Sequence, residues 1–183
     1  MTQKELILIL GGARAGKSTF ALRLAAERGD NICFIATAEA LDEEMRLRVA
    51  AHRAERPTHW QTIEEPKQLG DAIKRSNESE IVIVDCLTFF VSNWLMSNPN
   101  QQQAEQDVLR VFEDFLSIVS LQNQTVICVS NEVGLGVVPD NELGRSFRDA
   151  LGRVNQMAAA ASNRVYLLVA GLPLQIKPTK EAR

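Results

Sequence analysis

Leu6-Ile7-Leu8-Ile9-Leu10-Gly11-Gly12-Ala13-Arg14-Ala15-Gly16-Lys17-Ser18 sets an unbroken aliphatic run against a glycine-rich turn that closes on Lys-Ser. Five consecutive aliphatic residues suit a strand covered on both faces, since a half-exposed strand would alternate. Gly11 to Ser18 matches G-x-x-x-x-G-K-S/T, and a helical pattern over Lys17 to Arg28 follows directly. In this setting the glycines let backbone N–H groups converge on phosphate oxygens, and the helix N-terminus adds partial positive charge. Gly11, Gly12, Ala13, Arg14, Ala15, Gly16, Lys17 and Ser18 are therefore expected to bind nucleotide, with Lys17 on the terminal phosphates and the Ser18 hydroxyl on Mg²⁺.

Outward from this loop the same alternation repeats. Apolar runs at Ile32 to Ala36, Ile81 to Val84, Thr125 to Val129 and Arg164 to Val169 predict further strands, with more polar edge or hairpin strands at His59 to Ile63 and Leu172 to Ile176. Helices are predicted over Asp42 to Arg56, Lys67 to Arg75, Leu87 to Met96, Gln103 to Leu121 and Glu142 to Ala161, and Ser97 to Gln103 reads as a surface loop. The expected fold class is α/β: a single P-loop NTPase (RecA-like) domain over residues 1–183, with a mostly parallel central sheet and helices on both faces.

Composition bounds the function. The chain has 183 residues, 45% of them apolar, and a net charge of −3 from 20 Lys plus Arg and 23 Asp plus Glu. One domain of roughly 150 residues or more accommodates this length. The charge balance argues against a nucleic-acid partner while leaving room for a local anion site. Cys33, Cys86 and Cys128 have no C-x-x-C spacing, which fits a reducing cytoplasm better than a disulfide framework or zinc ribbon. The five apolar residues behind Met-Thr-Gln-Lys-Glu are too few for a secretory core, so no export is expected. The longest apolar stretch, Val165 to Leu174, is broken by Gly171 and Pro173 and falls short of the ~20 residues a membrane span requires.

A phosphate-bound cation needs a carboxylate at the end of a neighbouring strand, and Ile81-Val82-Ile83-Val84-Asp85 supplies one. Asp85 is therefore the second candidate metal ligand beside Ser18. Arg48, His52 and Arg56 recur at i, i+4 and i+8 on one helical face. Such a face suits a polyphosphate, and it equally suits a solvated helix balanced by Asp42, Glu43, Glu44 and Glu55.

The phosphate loop, Ile35-Ala36-Thr37-Ala38 followed by Asp42-Glu43-Glu44-Met45, His52-Arg53-Ala54-Glu55-Arg56-Pro57 with His59-Trp60, and Asn131-Glu132-Val133-Gly134-Leu135-Gly136-Val137-Val138-Pro139 together resemble one family. It is the bifunctional adenosylcobinamide kinase/adenosylcobinamide-phosphate guanylyltransferase family of cobalamin biosynthesis. The likeness extends to about Lys177, through Arg148-Asp149, Gly152-Arg153-Val154-Asn155-Gln156 and Ala170-Gly171.

The resemblance implies two reactions. ATP or GTP phosphorylates adenosylcobinamide; then a histidine attacks the α-phosphate of GTP, and the guanylyl-histidine passes GMP to adenosylcobinamide phosphate. It assigns catalysis to His52 and Lys17, and nucleotide contacts to Ala36, Thr37, Ala38, Arg53, Ala54, Glu55, Arg56, Glu64 and Asp85 as well as to the phosphate loop. It also implies Mg²⁺ and a homotrimer. His59, beside Trp60, is expected to pack. Asn131 and Glu132 follow a strand and are expected at the same sheet edge as Lys17 and Asp85, where their loop suits placing the corrinoid hydroxyl, completing a site across a subunit boundary, or simply a turn at Gly134 and Gly136. Arg145, Arg148 and Arg153 suit a neighbouring subunit, the substrate's phosphate, or local balance by Asp149 and Glu142. Two alternatives stay open from the residues alone: a regulatory P-loop NTPase, and a phosphotransferase limited to the kinase step.

Overall fold

The computed structural model describes residues 4–40, 42–54 and 56–178, without the side chains of residues 44, 45 and 48. Apolar runs pair in parallel because their side chains have cover on both faces. β1 (Leu6–Gly11), β2 (Ile32–Ala36), β4 (Ile81–Asp85) and β5 (Thr125–Val129) are buried almost throughout. With β3 (Gln61–Glu64), β6 (Arg164–Val169) and β7 (Leu172–Lys177) they form one sheet in the order β3-β2-β4-β5-β1-β6-β7. All pairings are parallel except β6 with β7, which is antiparallel.

Two-residue periodicity within the strands divides the core. Leu6, Leu8 and Leu10 face one way with Val82, Val84 and Val126, where they meet α3 (Leu69–Arg75), α4 (Leu87–Ser97), α5 (Gln101–Leu121) and α6 (Glu142–Ala161). Phe90, Phe112 and Phe115 fill the space between those helices. Ile7, Ile9, Ile81, Ile83 and Ile127 face the other way, against Phe20, Ala21, Leu24 and Ala25 of α1 (Lys17–Ala26) and against Trp60. α2 (Glu43–Ala54) follows β2 in the chain.

Several element ends differ from the sequence expectations. α2 runs over Glu43–Ala54 and Arg56 lies outside it, because the residue before Pro57 is disfavoured in the helical region. α5 begins at Gln101, two residues early: Asn100 is its N-cap, its side chain accepting the Gln103 N–H at 3.1 Å, so the expected Ser97 to Gln103 loop shrinks to a short joint. α3 begins at Leu69, not Lys67, because the Glu65 carboxylate takes the Lys67 and Gln68 N–H groups in a turn. β3 starts at Gln61, which leaves His59 exposed in the preceding turn; the packing role expected of it belongs to buried Trp60 alone.

β6 returns into β7 through Ala170 (φ 51) and Gly171 (φ 83), the left-handed pair of a tight two-residue hairpin. The Gly171 N–H donates to the Ala15 carbonyl at 3.1 Å, so the hairpin tip braces the phosphate loop.

Candidate active site

Strand register sets the site. Glu64, Ala36, Asp85, Val129 and Ile9 are successive partners across five strands, one row at the carboxyl ends of β3, β2, β4, β5 and β1. Open α/β sheets bind ligands above such an edge. Here that edge carries a cavity of about 520 Å³, walled by residues that leave each of these strands and by α2.

Lys17 and Ser18 open α1 at the floor of this cavity. Gly16, left-handed at φ 88, caps the helix and turns the chain into it. Gly11 is forced by close approach: a Cβ there would sit 2.6 Å from the Leu168 carbonyl oxygen. Two bonds hold the loop's shape from inside. The Ala15 N–H donates to the Gly12 carbonyl at 3.3 Å, and Lys17 Nζ donates to the same oxygen at 2.7 Å. Burial depresses the Lys17 pKa, opposed by the nearby Cys86 and Asp85. Arg14 takes a left-handed φ of 57 and is exposed with Gly12 and Ala13 on the outer curve of the loop.

Asp85 faces Lys17 across the floor. Burial raises its pKa; a hydrogen bond from Ser18 and the charges of His52, Arg56 and Lys17 pull the other way. Hydroxyl and carboxylate oxygens are the hard donors Mg²⁺ takes. No group of three or more His, Cys, Asp or Glu able to hold a metal occurs among the described residues. Ser18 and Asp85 therefore fit Mg²⁺ only where phosphate oxygens and water complete its shell, which is how that ion binds at phosphate sites.

His52, in the last turn of α2, is exposed and lines the cavity with Val49 and Arg56. Arg56 lies two residues beyond the helix, its guanidinium carbon 3.5 Å from the centroid of the buried Phe34 ring on β2. Arg53 reaches Glu64 at the end of β3, with N to O at 3.8 Å. Both partners are about 70% exposed, so this pair orients more than it stabilises. Glu55 and the side chain of Arg48 lie outside the described residues. Ala54 is exposed at the helix end, and neither it nor Arg53 is among the cavity walls.

Ala36 and Ala38 line the cavity, whereas Thr37 does not. Its buried hydroxyl donates to the Cys86 carbonyl and accepts the Cys86 N–H, both at 2.7 Å, which fixes the chain just past Asp85. Asn131 sits at the cavity as expected, while Glu132 turns back to accept the Gly134 N–H at 2.6 Å. Arg148 pairs with Asp149, as local balance required, but Arg153 pairs with Glu105 of α5 and Arg145 bonds the carbonyls of Pro139 and Asp140. Sequence reasoning missed the walls made by Glu39, Glu65, Cys86 and Phe89. Their one common signal is position, within four residues of a strand's carboxyl end.

Comparison with known proteins gives the family and the fold. A family model described as cobinamide kinase / cobinamide phosphate guanyltransferase matches residues 7–176. A bifunctional adenosylcobalamin biosynthesis protein from Pseudomonas aeruginosa is 45% identical over 172 residues, 93% of this chain and 96% of that one. One from Escherichia coli is 39% identical over 181 residues, 94% and 99% of the two chains. In fold the chain is similar to a solved ATPase domain (TM-score 0.54, 14% identity, 92% of this chain and 70% of that one). It is also similar to a Pyrococcus horikoshii structure (TM-score 0.58, 7% identity, 99% and 90%).

Proposed function

We infer that this chain, which belongs to the cobinamide kinase / cobinamide phosphate guanyltransferase family, runs both reactions of that bifunctional family in the single cavity above its sheet. The observation that carries this reading is the common opening of His52, Lys17, Ser18 and Asp85 onto one space. In the first reaction the adenosylcobinamide hydroxyl attacks the γ-phosphorus of ATP or GTP, with Lys17 and the loop N–H groups holding the phosphates. Mg²⁺ held by Ser18 and Asp85 would neutralise phosphate charge.

In the second reaction a His52 nitrogen attacks the α-phosphorus of GTP. An N–P bond forms, the bridging P–O bond breaks and pyrophosphate leaves. A phosphate oxygen of adenosylcobinamide phosphate then displaces the histidine, yielding adenosylcobinamide-GDP and free His52. Covalent catalysis divides one hard displacement into two easier ones. Arg56 and Lys17 face the departing charge inside the cavity, Arg53 holds the end of α2 near it, and Glu64 stands where β3 can meet the base.

The same reading assigns a homotrimer, supported by the exposed Leu172, Leu174 and Ile176 that alternate along β7, and a reducing cytoplasm, supported by three free thiols. No helix among the described residues is long and apolar enough to cross a membrane. Incubation with GTP labelled in the α-phosphate tests the covalent step: acid-labile, base-stable label is expected on the wild type and absent from His52→Ala, whose kinase activity persists. Full guanylyl transfer by His52→Ala overturns it.

A further inference from the structure

Asn131 leaves the sheet at a singular place. β5 lies between β1, which carries the phosphate loop, and β4, which ends in Asp85. Asn131 comes two residues after Val129, the member of the carboxyl-end row that pairs with both Ile9 and Asp85. Asn131 therefore leaves the sheet between the strands that lead to Lys17 and to Asp85, and it lines the cavity with both.

Neighbours spend both backbone groups of Asn131 on holding it there. Its N–H donates to the Thr88 hydroxyl oxygen at 3.0 Å, and its carbonyl accepts from Asn155 Nδ2 at 3.0 Å. Asn155 is 6% exposed and has its orientation fixed in turn, its Oδ1 accepting the hydroxyl of fully buried Ser130 at 2.7 Å. A buried amide with both ends engaged is a stiff support. By contrast, the Asn131 carboxamide is half-buried, lines the cavity and makes no hydrogen bond to the described residues. It is also the only amide side chain among the described cavity walls.

The two reactions differ in what they ask of such a group. The guanylyl step uses an imidazole lone pair that carries no proton. The kinase step uses a hydroxyl whose proton must be directed away from the attacking lone pair, beside a phosphoryl group that gathers negative charge. A carboxamide serves both needs of the second case, accepting from the hydroxyl through Oδ1 and donating to a phosphoryl oxygen through Nδ2.

We propose that Asn131 binds the acceptor hydroxyl and the transferred phosphoryl group of the kinase step, with Thr88 and Asn155 as positioning residues, and that it is dispensable for guanylylation of His52. The hydroxyl oxygen bonds to the γ-phosphorus, the β–γ bridging P–O bond breaks with its electrons leaving on the nucleoside diphosphate, and the hydroxyl proton passes to the transferred group and then to water. This rests on the shared-cavity reading above.

The experiment separates the two activities in the full-length enzyme. Asn131→Ala is expected to lower kinase kcat about a hundredfold, with nucleotide KM and the rate of His52 labelling from α-labelled GTP within about threefold of wild type. Thr88→Val, which loses the acceptor for the Asn131 N–H, is expected to lower kinase kcat about tenfold with the same split, and Thr88→Ser to restore it. Unchanged kinase kcat in Asn131→Ala, or equal loss of both activities at an unchanged melting temperature, overturns the proposal. Failure of the wild type to take label would instead sink the His52 reading, while the kinase arm still decides the role of Asn131.

Discussion

Arg56 sits over the Phe34 ring, guanidinium carbon to ring centroid 3.5 Å, so the basic segment behind His52 is clamped to the sheet by its last arginine. A planar, delocalised cation stacks in this way and an ammonium does not. Arg56→Lys, which keeps the charge, is therefore expected to slow His52 guanylylation about tenfold or more. Phe34→Leu should slow it in the same direction through the lost platform. Single-turnover labelling with α-labelled GTP reads both, and normal labelling in both variants would show that the stack is incidental.

Asp85 makes the ligand-free protein sensitive to pH. Its folded pKa is raised by burial, so the folded state binds more protons than the unfolded state above the ordinary value of 3.8. The contribution is favourable at low pH and is lost as pH rises from 3.8 through the folded value. Asp85→Asn is expected to raise the neutral-pH melting temperature of the ligand-free protein, and the gain should shrink toward pH 4. The same variant should lose most of the stabilisation that Mg²⁺-nucleotide gives the wild type. Thermal melts with and without ligand across pH give both readings.

Neighbouring glycines in the phosphate loop are unequal. A Cβ at Gly11 meets the Leu168 carbonyl oxygen at 2.6 Å, while one at Gly12 meets nothing within 4 Å. Gly11→Ala is expected to cost about 2 kcal/mol or more of stability, and Gly12→Ala much less. Denaturant melts of the two variants decide it.

All three thiols are buried in the native fold, and their pKa values rise to about 11 for Cys33 and about 12 for Cys86 and Cys128, with desolvation the leading cause. Thiolate is the reactive form. Alkylation at pH 8 should therefore be slow for all three in the native protein and rapid after denaturation. Cys86, at the cavity wall, should be the fastest of the native set and protected by nucleotide.

Where local chemistry decides an element, the sequence was legible. β2, β5, β6 and α6 run over the residues that apolar runs and helical periodicity predict, and Gly11 to Ser18 turns between strand and helix as its motif requires. The ends of α2 and α5 were set by single residues, Pro57 and Asn100, whose effects are local and were available to be read. Sheet order, the Phe34 platform and the Arg153 to Glu105 pair were not legible, since each joins residues far apart in sequence. Thr37 shows the limit most clearly. Family likeness points it toward nucleotide, yet its hydroxyl is spent on the Cys86 backbone, a contact that only the pairing of β2 with β4 creates.

The bonds that pin the phosphate loop change where the cost of its order falls. Glu132 donates its N–H to the Gly11 carbonyl at 3.1 Å on one flank, as Gly171 does to Ala15 on the other. Residues held this way give up their freedom when the chain folds, so an arriving nucleotide meets a mould already cast and loses little affinity to ordering it. Lys17 is an adjustable piece: on the proposed reading it exchanges the Gly12 carbonyl for phosphate, so that the strength of this internal bond tunes how firmly the terminal phosphates are gripped.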